Sequence, residues 1–156
     1  MKALKIITAV LCVFAMLFGM SACEGKKTPQ TVDGFTKVME ESGFDVYDIT
    51  AETDTDGKAN AIIIAAEGGY QIEFWDFTDE TVAHDAFHSA EHLFKEEHSV
   101  RKTSLSTEGK NNCYFDFVAD GNFHMIARID NTMLYCEASE ENKDEIRELA
   151  ETLGYK

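Results

Sequence analysis

Basic residues are scarce in this chain. Its 156 residues include 14 Lys and Arg against 29 Asp and Glu, which gives a formal net charge of −15 at pH 7. Nucleic acids and anionic lipid headgroups carry negative phosphate charge, so they should repel a chain with this balance. The composition therefore argues against a nucleic-acid-binding protein and favours a soluble acidic domain.

The leader lacks an apolar run long enough to cross a membrane with ease. Its apolar stretch, Ile6 to Phe18, is about 13 residues long, whereas a spanning helix needs roughly 20. Lys2 and Lys5 precede this stretch and small residues follow it, an order typical of a secretory signal peptide. We therefore predict that residues 1–22 form a signal peptide and that the remaining chain works outside the cytoplasm.

The end of the leader carries a more specific motif. Met20-Ser21-Ala22-Cys23 resembles the lipobox of bacterial lipoproteins, with Met where that family usually has Leu. The resemblance implies that the Cys23 thiol receives a diacylglyceryl group and that the leader is cut off immediately before it. Two acyl chains attach a protein durably to a membrane. Residues 23–30 would then be the lipidated cysteine and a polar tether, and residues 31–156 a single domain at the outer face of the cell membrane.

Cysteine is sparse. Cys12 lies in the leader and Cys23 is the predicted lipid site, so the domain keeps only Cys113 and Cys136. An exported pair favours a disulfide. Strand alternation, however, predicts that the two residues flank Ala127 from neighbouring strands, about 10 Å apart, and a disulfide needs less than roughly 7 Å. We therefore predict two buried free thiols.

Signatures of catalysis are also missing. The sequence has no Gly-x-Ser-x-Gly motif, no Gly-rich phosphate loop and no paired strand-end carboxylates with a nearby base. No set of nucleophile, base and orienting group can be recognised. We therefore expect neither an enzyme nor a bound cofactor.

Hydrophobic periodicity predicts an α+β domain. Helical patterns begin at Thr31, Thr78 and Ser139, and strand-like segments lie between them. We predict an antiparallel sheet of about six or seven strands, with the three helices packed mainly on one face. The predicted strands are 45–50, 61–66, 70–77, 101–106, 113–118, 122–130 and 132–138. In the second helix, the residues expected to face inward are Val82, Ala86, Phe87, Ala90, Leu93 and Phe94.

Glycine marks two of the turns between strands. Residues 67–69 and 119–121 are predicted as three-residue hairpin loops with Gly in the left-handed region. The second loop pairs Val118 with Asn122. It thereby assigns to one face of the sheet the residues Cys113, Phe115, Phe117, Phe123, Met125 and Ala127.

The second helix carries a histidine at every fourth position: His84, His88 and His92. Imidazoles at i and i+4 are close enough to share one Zn²⁺, Ni²⁺ or Cu²⁺ ion. These three point away from the apolar stripe, and no fourth ligand is evident. A solvent-exposed polar face is the favoured interpretation, and a weak transition-metal site is the alternative.

The strands at 61–66 and 70–77 are apolar on both faces. Ile63 and Trp75 are predicted to oppose an inward set formed by Ile62, Ile64, Ile72 and Phe74. An uncovered second face would let Trp75, with Phe77 and Ile63, line a groove for a ligand or partner. The alternative is a Trp75 packed beneath a loop or the second helix.

Location is better defined than activity. The size and acidic single-domain form resemble small uncharacterised lipoproteins of Gram-positive bacteria, a resemblance that implies no activity. We expect a lipid-anchored extracytoplasmic binding or accessory module for an unknown protein or small-molecule ligand. Divalent metal binding through the helix-two histidines is the alternative function.

Replacement of Cys23 tests the anchor. In cells that express the full chain, Cys23→Ser should release the protein from the membrane fraction or block leader removal, because a hydroxyl is too weak a nucleophile to take the lipid. Cys12→Ala is the matched control, since it removes a leader cysteine outside the motif. Unchanged fractionation and unchanged processing of Cys23→Ser would contradict the lipobox interpretation.

Overall fold

A seven-stranded antiparallel sheet organises the chain. The computed structural model describes residues 26–54, 56–98 and 104–156, so the predicted signal peptide and Cys23 lie outside the described residues. The sheet order is β1-β2-β3-β7-β6-β5-β4. The elements are α1 Val32–Glu41, β1 Asp45–Asp48, α2 Thr50–Thr53, β2 Ala59–Glu67, β3 Tyr70–Phe77, α3 Glu80–His98, β4 Leu105–Glu108, β5 Asn112–Ala119, β6 Asn122–Ile129, β7 Thr132–Ser139, a 3₁₀ turn Glu140–Asn142 and α4 Lys143–Thr152.

These elements confirm the predicted α+β class and the number of strands, and they correct the number of helices. The described residues contain four helices rather than three, because α2 forms a single turn between β1 and β2. The side chain of Asp48 starts this turn by accepting hydrogen bonds from the backbone N and the Oγ1 of Thr50, at 2.9 and 2.6 Å. In the described part of the chain, no helix combines the length and the apolar character that a membrane span requires.

Helices cover both faces of the sheet, so the prediction that they pack mainly on one face is wrong. Phe35 and Met39 of α1 and Ile146 and Leu149 of α4 share one buried cluster. Ala83, Phe87 and Phe94 of α3 belong to a second cluster on the opposite face. We call the two faces the α1/α4 face and the α3 face, and their clusters the α1/α4 cluster and the α3 cluster. The physical reason is that the central strands carry large apolar side chains on both sides, and each side must be covered.

The buried stripe of α3 differs from the predicted one. Phe87 and Phe94 are buried as expected, and Ala83, which the prediction omitted, is fully buried. Leu93, predicted to face inward, is 53% exposed. Adjacent helix residues point about 100° apart, so a stripe through Ala83, Phe87 and Phe94 turns Leu93 towards solvent.

The helices α1 and α4 both end at the glycines that the sequence indicates. Gly43 and Gly154 have φ values of 95° and 84°, a region open to glycine and costly for most other residues. Beyond them, the backbone N–H groups of Phe44 and Tyr155 return to the carbonyls of Met39 and Ala150. This arrangement caps each helix and buries the aromatic ring that follows it.

Both predicted three-residue turns contain two residues, since Glu67 pairs with Tyr70 at the β2–β3 turn as well. The β5–β6 turn has the larger consequence. Asp120 and Gly121 both have positive φ, 52° and 81°, as in the type I′ turn that closes tight hairpins. Ala119 therefore pairs with Asn122, and Val118 pairs with Phe123. A shift of one residue moves every side chain of a strand to the other face. As a result Cys113, Phe115 and Phe117 lie on the α3 face, whereas Phe123, Met125 and Ala127 lie on the α1/α4 face.

The two domain cysteines are free and buried, as predicted. Their positions differ from the prediction, which assigned both to one face beside Ala127. Cys113 pairs with Arg128 and belongs to the α3 cluster. Cys136 pairs with Met125 and belongs to the α1/α4 cluster. The sheet itself therefore separates the two thiols.

The described part of the predicted tether is fastened to the domain. Asn111 accepts a hydrogen bond from the backbone N of Lys27 at 3.0 Å and donates one to the Lys27 carbonyl at 2.8 Å. Its amide also donates to Asp130 at 2.9 Å. The Gln30 side chain donates to the carbonyl of Leu153 at 3.2 Å. Residues 27–30 therefore run along the domain surface.

A buried ionic network joins α4 to β5. Asp116 is fully buried, and its carboxylate accepts hydrogen bonds from Arg147 Nε and Nη2 at 2.8 and 2.7 Å. The hydroxyl of Tyr114 donates to the same carboxylate at 2.6 Å. Burial, followed by the hydrogen bond to Asp116, raises the pKa of Tyr114. The hydrogen bond with Asp116 raises the pKa of Arg147. The charge that folding buries is thus matched by a bidentate partner.

Removal of Asp116 should destabilise the fold. We expect Asp116→Ala to lower the free energy of unfolding by about 3 kcal/mol, because Arg147 and Tyr114 lose their shared acceptor. Urea denaturation of the mature chain measures this change. Glu148→Ala, at an exposed position of α4, is the matched control and should change stability by less than about 0.5 kcal/mol. Equal losses in the two variants would contradict a stabilising role for the network.

Candidate functional site

An open groove of about 830 Å³ lies at one end of the sheet, beside the β2–β3 turn and the last residues of β7. Among the described residues that line it, four are carboxylates and none is basic. The carboxylates are Asp45, Glu67, Glu73 and Glu137, and the polar and aromatic lining includes Gln71, Tyr135, Asn122 and Ser139. We call this feature the acidic groove.

Pairing between β3 and β7 aligns the centre of the acidic groove. Gln71 pairs with Glu137, and Glu73 pairs with Tyr135. Residues paired across antiparallel strands point to the same face, and so do residues two positions apart. These four side chains therefore project together. Tyr135 packs against the α3 cluster, where its ring stacks on Phe94 at a centroid distance of 5.7 Å, so the groove opens on the α3 face next to that helix.

Glu73 is held in position by two donors. One oxygen accepts a hydrogen bond from Gln71 Nε2 at 3.0 Å, and the other accepts one from Trp75 Nε1 at 2.9 Å. The Trp75 ring in turn stacks on Phe77, with centroids 5.8 Å apart. The carboxylate therefore has a fixed direction before any ligand arrives.

Glu137 combines exposure with a buried neighbour. Its side chain is 50% exposed, and one of its oxygens lies 3.8 Å from Nδ1 of His124. His124 is only 1% exposed and stacks on Phe117 at 4.6 Å. Glu137 therefore exposes its charge to the acidic groove, while the adjacent His124 is packed against an aromatic ring.

The carboxylates of the acidic groove raise the pKa values of neighbouring groups. Burial raises the pKa of Tyr135 to about 12, and repulsion from Glu137 and then Glu73 adds to this effect. Burial also raises the pKa of the Cys136 thiol to about 12, again with contributions from Glu73 and Glu137. Both carboxylates therefore disfavour additional negative charge here.

The sequence did not identify these groove residues. The chain has 29 acidic residues, so the two on these strands do not stand out from the sequence alone. The spacing Glu73-x-Trp75 was an available indication, because residues two apart on a strand share a face. The pairing of β3 with β7 brings in Glu137, and periodicity alone does not give that pairing.

The three residues predicted to line a ligand groove are not brought together. Ile63 pairs with Phe74 and is buried on the α1/α4 face. Trp75 pairs with Ile62, is partly buried and packs against the α3 cluster, which includes the buried Phe77. The predicted groove is therefore wrong, and the alternative of a Trp75 packed beside the second helix describes the structure. Trp75 contributes to the acidic groove only through its hydrogen bond to Glu73.

The histidines of α3 lie on its solvent side, as the favoured interpretation predicts. The side chains of His84, His88 and His92 are 50%, 41% and 71% exposed. The rings of His84 and His88 have centroids 4.3 Å apart. Each of the three histidines has a carboxylate oxygen within 3.5 Å of a ring nitrogen. Across residues 26–54, 56–98 and 104–156, no three His, Cys, Asp or Glu side chains are grouped to hold a metal ion, so the metal alternative gains no support.

Comparison with known proteins shows the fold alone. No family model matches the chain, and no curated protein matches it. The structure resembles the crystal structure of a GTP-binding regulator from Thermotoga maritima with a TM-score of 0.50. The two sequences are 14% identical, and the match covers 81% of this chain and 88% of the other. At this identity the likeness concerns the path of the backbone.

Stability should fall in alkaline solution. The pKa of Cys136 rises from 9.0 to about 12, and those of Tyr135 and Tyr155 rise from 10.0 to about 12, with burial the largest cause for all three. Well below pH 9 these groups are protonated in both states. Above it the unfolded chain releases their protons first, so the free energy of unfolding decreases as pH rises.

Urea denaturation from about pH 8 to about pH 11 measures this decline. Cys136→Ala should weaken it most between pH 9 and 10, where the thiol is the first of the three groups to ionise in the unfolded chain. Tyr47→Phe is the control, because the Tyr47 side chain is exposed. A decline that Cys136→Ala leaves unchanged would contradict the assignment.

Proposed function

We propose that this protein is a lipid-anchored extracytoplasmic binding module whose acidic groove receives a positively charged organic ligand. The observation that carries the proposal is the juxtaposition of Glu73 and Glu137 on adjacent strands in an open groove whose described lining residues include no basic one. Opposite charges attract most strongly where the protein walls limit solvent, and a groove of one sign concentrates ligands of the other. The anchor rests on the lipobox resemblance at Cys23.

The size and lining of the acidic groove favour an organic cation over a metal ion. A volume of about 830 Å³ lies within the range of small-molecule sites. Tyr135 adds an aromatic wall against which a carbon chain can pack, and Gln71, Asn122 and Ser139 supply polar groups. A metal ion would instead require several ligand atoms converging on one point. Amines of several carbons, or basic side chains of a peptide, match both the charge and the volume.

A nucleotide is a poor match for the same groove. The structural neighbour is described as a GTP-binding regulator, and this description supports the general class of a ligand-binding module. Recognition of a triphosphate uses Lys, Arg or backbone N–H groups at a helix start. The residues described by the structure that line the acidic groove include four carboxylates and no Lys or Arg, and the carboxylates would repel the phosphates. We therefore infer a ligand of opposite charge on a related fold.

The geometry supports binding rather than catalysis. Both oxygens of Glu73 are engaged by Gln71 and Trp75, so this carboxylate is arranged to hold charge in place. The nearest thiol, Cys136, is fully buried with a raised pKa, which makes it a poor nucleophile. A fixed, negatively charged groove that binds without reacting agrees with an accessory role at the membrane.

Calorimetric titration with spermidine tests the proposed ligand class. We expect the mature chain in non-ionic detergent to bind spermidine and to show no binding of GTP. Glu73→Gln/Glu137→Gln should weaken spermidine binding by about tenfold, because two attractive charges are lost at the site.

Glu52→Gln/Glu148→Gln is the matched control. It removes the same net charge at exposed positions outside the acidic groove and should weaken binding by less than about twofold, since distant surface charges are screened. Equal losses in the two double variants, or tighter binding of GTP than of spermidine, would overturn the proposal.

A further inference from the structure

The segment that follows the predicted lipid site is clamped by a single side chain. Asn111 is 6% exposed, accepts from the backbone N of Lys27 at 3.0 Å and donates to its carbonyl at 2.8 Å. The second hydrogen of the amide is used by Asp130 at 2.9 Å, and the backbone N of Asp130 donates to the Asn111 carbonyl at 2.9 Å. A side-chain amide that bonds both the N–H and the C=O of one residue fixes the position and the direction of the chain there. We call this arrangement the Asn111 clamp.

The Asn111 clamp and the acidic groove lie at opposite ends of the sheet. Asn111 directly precedes β5, and Asp130 directly follows β6. The other end of β6 begins at Asn122, which lines the acidic groove. The eight residues of β6 span roughly 25 Å at about 3.3 Å per residue. The two features are therefore separated by the length of a strand.

Covalent geometry limits how far the lipid can lie from the Asn111 clamp. Cys23 precedes Lys27 by four residues, and an extended chain covers at most about 3.5 Å per residue, or roughly 14 Å in all. This reach is shorter than the strand that separates the clamp from the acidic groove. A lipid on Cys23 would consequently bring the clamped end of the sheet to the bilayer first.

Exposed lysines lie at the clamped end of the sheet. Lys26 and Lys110 are exposed and stand next to the clamped residues Lys27 and Asn111. Burial lowers the pKa of Lys27. The exposed Lys156 follows Tyr155, whose hydroxyl hydrogen-bonds to Thr132 at the first position of β7, at this same end. At the other end the acidic groove presents four carboxylates. These lysines can contact anionic headgroups, although Asp130 and the exposed Glu108 lie at the same end, whereas the carboxylates of the groove are repelled.

We propose that the end of the sheet formed by the Asn111 clamp and its lysines is a membrane-facing surface, which contacts anionic lipid headgroups and directs the acidic groove away from the bilayer. The proposal rests on the lipid anchor of the proposed function. It adds an orientation to that anchor, because Lys27 is held by Asn111 and the lipid cannot lie far from it. The acidic groove would then face ligands or partners arriving from outside the cell.

Energy transfer to a headgroup-labelled lipid tests the orientation. The mature lipidated chain carries a donor dye at Glu108→Cys, near the clamp, or at Glu140→Cys, near the acidic groove, and is reconstituted in vesicles of phosphatidylcholine and phosphatidylglycerol in equal parts. Both positions are exposed, whereas Cys113 and Cys136 are buried and should remain unlabelled. Transfer should be about twofold more efficient from position 108, because a strand's length separates the two dyes.

Two variants separate the contributions of the clamp and of the charges. Asn111→Ala should reduce the difference between the two labels on all vesicles, because it frees Lys27. Lys110→Glu/Lys156→Glu leaves the clamp intact and should reduce the difference on mixed vesicles only, with no effect on pure phosphatidylcholine. Equal transfer from both positions in the unaltered chain would overturn the orientation alone. Loss of the chain from the vesicles would overturn both the anchor and the orientation. The proposed ligand class is tested separately, by the titration with spermidine.

Discussion

Apolar side chains on both faces of one sheet are the constraint on which the rest of the structure depends. Strands β5, β6 and β7 alternate large apolar residues to either side, so neither face tolerates water. Helices α1 and α4 cover one face, and α3 covers the other on its way from β3 to β4. The acidic groove opens on the α3 face beyond this cover, where polar residues occupy the ends of β3 and β7.

The sequence predicted the positions of the strands better than it predicted how the strands pair. β3 was predicted with the bounds it has, and the other strands except β4 lie close to predicted segments, because period-two alternation is a local property. The predicted strand 101–106 shares only its last two residues with β4, and residues 101–103 lie outside the described residues. Register failed at Asp120 and Gly121, where a turn of two residues was interpreted as one of three, and that single residue exchanged the faces of β5. The acidic groove escaped prediction because it depends on the pairing of Glu73 with Tyr135 across strands distant in sequence. Trp75 was singled out for its size, yet its role is to orient a neighbouring carboxylate.

Net charge gives an incomplete account of how this protein would meet a membrane. A formal charge of −15 predicts repulsion from anionic lipid, and for the chain as a whole that expectation stands. The described lysines near the Asn111 clamp and the carboxylates of the acidic groove, however, occupy opposite ends of the sheet. Because charges are screened over roughly 8 Å at physiological salt, the groups at the end nearer the bilayer matter more than the net charge of the chain.

The pairing of β3 with β7 also determines how the chain must fold. Strands β1 to β3 are joined by short connections, and so are strands β4 to β7, so each group can form from local contacts. Only the β3–β7 pair, exemplified by Phe74 opposite Leu134, unites the groups into one sheet. Its partners are separated in sequence by α3 and three strands, so the entropy of closing a long loop is concentrated in this one pairing. The acidic groove is lined by residues of both strands, and it therefore exists only in a chain in which this long-range pairing has formed.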